Sequence, residues 1–111
     1  MSDIESENVG SCMVIRLSGE VDLSWSQQVR NAILDALRYN DTLGVDLSRV
    51  SYIDSSGIAA LVEGFQHART NGGRFALVAI SDAVRAVLEL ARLDRVFLII
   101  DDIDALASGG D

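Results

Sequence analysis

The chain has no proline and no lysine, and only one cysteine and one histidine among its 111 residues. Each shortage removes a class of function. Without proline, every turn must rely on Gly, Asn, Asp or Ser. Without lysine there is no P-loop and no Ser–Lys nucleophile pair. Cys12 alone cannot form an internal disulfide. It sits in an apolar stretch and reads as a buried, reduced thiol, which suits the cytoplasm. A lone cysteine and a lone histidine do not make a zinc ligand cluster, and no cofactor is expected. No apolar run approaches the ~20 residues that span a bilayer. The opening MSDIESENVG is acidic, unlike a signal or basic transit peptide. All nine basic residues are arginines, scattered singly, and the net charge is −8. Nucleic acid would require a basic stripe, and none is present. An anionic membrane surface is disfavoured for the same reason. The expected partner is a protein.

What is present is a well-patterned single domain, expected to span 1–111 with a core of about 12–107 and a frayed tail at 108–111. Nearly half of the residues are hydrophobic. A chain of this length buries roughly two-thirds of its unfolded surface. Cys12 to Leu17 alternates as a strand that Ser18 to Leu23 continues or closes. Ile4 to Asn8 pairs with it as an edge strand through Gly10. Ser24-Trp25-Ser26-Gln27 fits a capping box ahead of a helix carrying Val29, Ile33, Ala36 and Leu37. That helix is expected to end near Asn40-Asp41. Leu43, Val45 and Leu47 alternate as a short strand. Ile58, Leu61, Val62 and Phe65 form one stripe of a second helix, stopped by Asn71-Gly72-Gly73. Phe75 to Ile80 and Val96 to Ile100 read as buried strands. Ser81 caps a third helix with Val84, Val87, Leu88 and Ala91 inward. Asp102 to Ala107 makes a short last helix. The alternation predicts an α/β domain with a mainly parallel sheet and one antiparallel edge pair.

The chemistry concentrates in Ile53-Asp54-Ser55-Ser56-Gly57, where polar residues interrupt an apolar run. One helix cap needs one polar side chain, supplied by Asp54, Ser55 or Ser56. Three stand together, and Gly57 weakens a helix by about 1 kcal/mol relative to alanine. A glycine there leaves room for something to approach the neighbouring hydroxyl. A serine nucleophile needs a base within reach. His67 lies about three helical turns away, roughly 18 Å along the axis, so intrinsic catalysis is disfavoured. With Ile58, Leu61, Val62 and Phe65 inward, the opposite helix face shows Ser56, Ala60, Glu63 and His67. Trp25 is expected to cover the sheet edge or core.

IRLSGEVDLSWSQQV, the strand-Asp-Ser-Ser-Gly-helix element and Asn71-Gly72-Gly73, in this order, resemble the STAS-domain family. More closely they resemble bacterial anti-sigma factor antagonists, over about Cys12 to Ile100. The resemblance implies a mixed sheet with helices packed mainly on one face. It implies a non-enzymatic partner switch. A serine kinase that doubles as the anti-sigma factor phosphorylates Ser55, the residue after the motif aspartate. The unphosphorylated protein binds that kinase and releases the sigma factor, and a serine phosphatase restores the active form. The expected contact residues are Asp22, Leu23, Ser24, Asp54, Ser55, Ser56, Gly57, Ala60 and Glu63. The alternative is a non-switching STAS subunit of a larger scaffold or lipid-transport complex. Where relatives often carry Ser-Gly-Leu after the third helix, this chain has Ala91-Arg92-Leu93. With arginine in place of glycine, that turn is expected to be built differently.

Overall fold

A computed structural model describes residues 2–108. Its elements are β1 (Asp3–Val9), β2 (Cys12–Val21), α1 (Ser26–Tyr39), β3 (Thr42–Ile53), α2 (Ser55–Thr70), β4 (Arg74–Val78), α3 (Asp82–Leu90), β5 (Leu98–Ile100) and α4 (Ile103–Ser108). The fraying expected of 109–111 lies outside the described residues, and Ser108 closes α4. The strands form one sheet in chain order. β1 and β2 are antiparallel, joined through Gly10 at φ +61°; every other neighbour is parallel.

Side-chain parity sorts the sheet into two faces. Ile15, Leu17, Phe75 and Leu77 point to one face. There they meet Val29 and Ile33 from α1, Leu61 and Ala68 from α2, and Val84 and Leu88 from α3. Cys12 and Ala76 point to the other face, where Leu106, Ile103 and Ile100 cover them. Three helices thus pack on one face, and α4 covers part of the other.

The elements depart from the sequence reading where period-two counting fails. β3 runs 12 residues rather than ending near Leu47. Beyond Leu47 the buried positions are Val50 and Ile53, three apart, because the β2–β3 register shifts twice. The segment Val96 to Ile100 is not a buried strand. Only Leu98–Ile100 pairs, at the sheet edge, and Val96 and Leu98 are exposed. Of the segment only Phe97 is fully buried, edge-on to Phe65 at 5.6 Å between centroids. Ala91 is the C-cap of α3 and is exposed rather than part of its buried stripe.

The turn after α3 is a glycine-type turn without glycine. Arg92 itself takes the left-handed conformation, φ +62°. The Leu93 amide donates to the Leu88 carbonyl at 2.8 Å and the Arg92 amide to that of Glu89 at 3.1 Å. This is the Schellman pattern, and it corrects the expectation that arginine would change the turn. The same pattern closes α2 through Gly72 at φ +74°. Ser81 caps α3 as expected, accepting from the Val84 amide at 3.2 Å. Its hydroxyl also donates to the Val50 carbonyl at 2.7 Å, tying α3 to β3.

α2 faces the sheet at a different angle from the one read in the sequence. Its buried residues are Gly57, Ile58, Ala60, Leu61, Gly64 and Ala68. Val62 and Phe65 are only partly buried. The small residues mark the closest approach. A Cβ on Gly64 would lie 2.5 Å from Ile33 Cγ2 and 2.9 Å from Phe75 Cε2. Glycine lets α1 and the sheet come this near.

Candidate functional site

β3 ends at Ile53 and α2 begins at Ser55, so Asp54 makes the corner. Its backbone is extended, and its side chain folds back over the first helical turn. Oδ1 accepts from the Ser56 amide at 2.9 Å, the Gly57 amide at 3.2 Å and the Ser56 hydroxyl at 2.6 Å. The Ser56 hydroxyl holds the Asp54 carboxyl below its usual range. Partial burial opposes this, and the Gly57, Ser56 and Leu23 amides reinforce it. Asp54 is therefore the cap, and Ser56 is its bound accessory.

Ser55 is left over. It occupies the first position of α2 and is exposed. Among the described residues, no hydrogen bond engages its hydroxyl. A capping function for the whole Asp-Ser-Ser run accounts for its neighbours and not for Ser55.

A second corner stands beside the first. β2 and β3 are parallel and end in register, Val21 against Ile53. The Asp54 amide donates to the Val21 carbonyl at 3.2 Å. Asp22 then repeats the local bonding of Asp54. Its Oδ1 accepts from the Ser24 amide at 3.0 Å and the Ser24 hydroxyl at 2.6 Å. Its carbonyl accepts from the amides of Trp25 at 3.0 Å and Ser26 at 2.8 Å. The expected capping box is thus absent. Trp25 is the N-cap of α1 and makes no side-chain cap bond, because Asp22 has taken the Ser24 hydroxyl. Trp25 packs partly buried against the core, as expected. Leu23, between the two partners of its turn, is 77% exposed.

Of the residues expected at the partner surface, the fold brings Asp22, Leu23, Ser24, Asp54, Ser55 and Ser56 to one edge. Gly57 and Ala60 are not there. Ala60 is 4% exposed. Gly57 is buried, and a Cβ on it would meet Ile53 Cγ1 at 2.7 Å and the Val21 carbonyl oxygen at 2.8 Å. The space at Gly57 serves packing against β2 and β3, not the approach of a partner. Glu63 lies further along α2 and is gripped by Arg30 of α1. Arg30 Nε and Nη2 reach its two oxygens at 2.7 Å each. That two-point bond lowers the Glu63 carboxyl below its usual range. Sequence reasoning missed Arg30, since no local spacing links it to Glu63. It also missed the shared Asp-x-Ser spacing of Asp22/Ser24 and Asp54/Ser56, which was visible.

Residues 3–106 match the STAS domain family. This chain belongs to that family. An anti-sigma F factor antagonist of Paenibacillus polymyxa is 27% identical over 106 residues, 93% of this chain and 91% of the relative. The crystal structure of an anti-sigma factor antagonist from Mycobacterium paratuberculosis superposes with a TM-score of 0.85 at 26% identity, covering 100% of this chain and 96% of that one. The unphosphorylated form of the Bacillus anti-sigma factor antagonist SpoIIAA gives a TM-score of 0.78 at 27% identity, over 94% and 93% of the two chains. Its phosphorylated form gives 0.73 at 26% identity, over 94% and 96%.

In this STAS domain the lone histidine, His67, sits on α2 about three turns beyond Ser55 and faces solvent. Among the described residues, no group of His, Cys, Asp and Glu is arranged to hold a metal ion. No described helix is long and apolar enough to cross a membrane. A cleft of about 310 Å³ opens on the sheet face that α4 leaves bare, lined in part by Arg16, Asp46, Ser48 and Arg49. Its Arg16 is already paired with Glu7 and Asp46.

Proposed function

We propose that this STAS domain is an anti-sigma factor antagonist of the partner-switching kind, acting as a single domain in the cytoplasm. Its phosphoacceptor is Ser55. The observation that carries this reading is the free, exposed Ser55 hydroxyl, in the middle of one hydrogen-bonded Asp-x-Ser corner and beside a second. A serine kinase that is also the anti-sigma factor docks on that edge. The Ser55 oxygen attacks the terminal phosphorus of ATP, the bond to the bridging oxygen breaks, ADP leaves, and the hydroxyl proton passes to a base on the kinase. A serine phosphatase reverses the modification by hydrolysis. The protein supplies an acceptor and a docking surface, not catalysis.

The electrostatics favour a switch by charge. A phosphoserine carries about −1.5 to −2 charges at neutral pH. Helix N-terminal amides normally help to hold such a group. Here the Ser56 and Gly57 amides already serve Asp54. The new dianion stands beside two carboxylates, Asp22 and Asp54. Among the described residues, neither has an ion-pair partner. Like charge brought into an interface weakens it by roughly a hundredfold or more.

The test is mass spectrometry of the protein isolated from its own cells under two growth conditions. Phosphate on Ser55 in one condition is the expected result. Phosphate confined to Ser56, or none in any condition, refutes the site and turns the reading toward a non-switching STAS subunit.

A further inference from the structure

The two Asp-x-Ser corners differ in the residue they present. In one the middle residue is Ser55, and in the other it is Leu23. Both are exposed. Single exposed apolar residues are common and carry no meaning alone. The position of Leu23 is what matters. Its amide lies close enough to the Asp54 carboxylate to help hold it below its usual range, and Asp54 neighbours Ser55 in the chain. The strands leading into the two corners are paired in register. Leu23 and Ser55 each lie two residues past the last paired positions, Val21 and Ile53, so they stand at the same end of the sheet on neighbouring connections.

The leucine is also held. Asp22 on one side and Ser24 on the other are fixed by the bonds of their corner. A rigid turn presents the side chain to solvent, so little backbone order remains to be lost when a partner covers it.

A kinase that phosphorylates Ser55 must place the reacting phosphorus within about 3–3.5 Å of the hydroxyl oxygen. A stable interface covers on the order of 800 Å² of each partner, a patch roughly 16 Å in radius. Any such patch centred on Ser55 covers Leu23 and places it near the middle, where binding energy concentrates.

We infer that Leu23 is the apolar anchor by which the unphosphorylated protein holds its kinase, and that phosphate on Ser55 acts by disabling this anchor. The inference rests on the reading of Ser55 as the phosphoacceptor. A phosphate dianion needs water around it. A partner surface closing over Leu23 strips water from the adjacent group. With phosphate present the closure is lost, and Leu23 stays wet. The anchor is chemically specific: its counterpart on the kinase is an apolar pocket beside the active-site entrance.

The experiment is a binding cycle with the kinase purified by its transfer of phosphate to Ser55. Calorimetry measures the affinity of the parent protein and of Leu23→Ala, each with Ser55 free and phosphorylated. Leu23→Ala weakens the unphosphorylated complex about tenfold and leaves the phosphorylated complex within about twofold, so the switching ratio falls about tenfold. Leu23→Met restores most of the lost affinity. Thermal unfolding of Leu23→Ala matches the parent, since the side chain is mostly in water. Equal weakening of both complexes overturns the coupling to phosphate, and unchanged binding overturns the anchor. In either case a kinase acting on Ser55 leaves the proposed function standing. Failure to find any kinase for Ser55 overturns that function and this inference with it.

Discussion

Gly57 separates two explanations for a glycine at the start of α2. Replacing it with alanine adds one methyl group. That carbon would lie 2.7 Å from Ile53 Cγ1, 2.8 Å from Val21 Cγ1 and 2.8 Å from the Val21 carbonyl oxygen. Side chains can yield, but the carbonyl oxygen is backbone. It also accepts the Asp54 amide at 3.2 Å. The first turn of α2 must retreat from the sheet by roughly 0.5 Å to restore ordinary contact. Forced expansion of a packed core costs about 1–3 kcal/mol. Alanine returns at most ~1 kcal/mol of helix propensity. The expected balance is a loss of ~1 kcal/mol, or about 4 °C in Tm for a domain of this size. Circular dichroism at 222 nm during urea and thermal unfolding measures it. The opposing view takes the glycine as clearance for a partner. It predicts a protein as stable as the parent or more so, with binding alone impaired. A Gly57→Ala protein with an equal or higher Tm refutes the packing argument.

Two further outcomes are expected. Arg92→Gly relieves a left-handed backbone that costs a side-chain-bearing residue about 1–2 kcal/mol, offset by the greater freedom of glycine in the unfolded chain. A gain of ~0.5–1 kcal/mol in urea unfolding is the result, and a loss would show that the Arg92 side chain makes a contact that matters. For pH, the Asp54 carboxyl is lowered in the folded state from its ordinary value of 3.8. Its charge therefore stabilises the fold above that value, and the contribution is lost as pH falls through the lowered folded value. Asp54→Asn keeps a capping oxygen without the charge. The stability gap between parent and variant should be full at neutral pH and close in acid, and a gap independent of pH would contradict the assignment.

Much of the fold was legible because most elements obey local periods. Met13, Ile15 and Leu17 alternate, Ser81 precedes an amphipathic helix, and Asn71-Gly72-Gly73 ends one. Errors arose where packing overrode size or period. The large residues of α2 point to one stripe, Ile58, Leu61, Val62 and Phe65, but the helix turns its small residues to the core as well. The sequence pattern assigns Gly57 and Ala60 to the surface, yet with Gly64 they lie where helix and sheet meet most closely. Alternation ends β3 near Leu47, whereas register shifts change its buried spacing from two to three and carry it on to Ile53. At the site, Asp54 and Ser55 were legible from their order before the helix. The engagement of Glu63 by Arg30 was not, since it joins two helices far apart in the chain.

One tetrapeptide separates local from tertiary control. Val-Asp-Leu-Ser occurs at 21–24 and again at 45–48. In both copies the aspartate oxygen accepts from the serine amide and hydroxyl, at 3.0 and 2.6 Å in the first and 2.9 and 2.7 Å in the second. That bonding spans two residues, so the sequence alone specifies it. The leucines share nothing else: Leu47 is fully buried and Leu23 is 77% exposed. Leu47 lies within a central strand with helices against it, whereas Leu23 lies just past the end of one, where the sheet stops and water begins. Burial and exposure depend on neighbours distant in the chain. For the same reason the sequence could place a hydroxyl at the head of α2, and only the assembled sheet could set a second corner with an exposed leucine beside it.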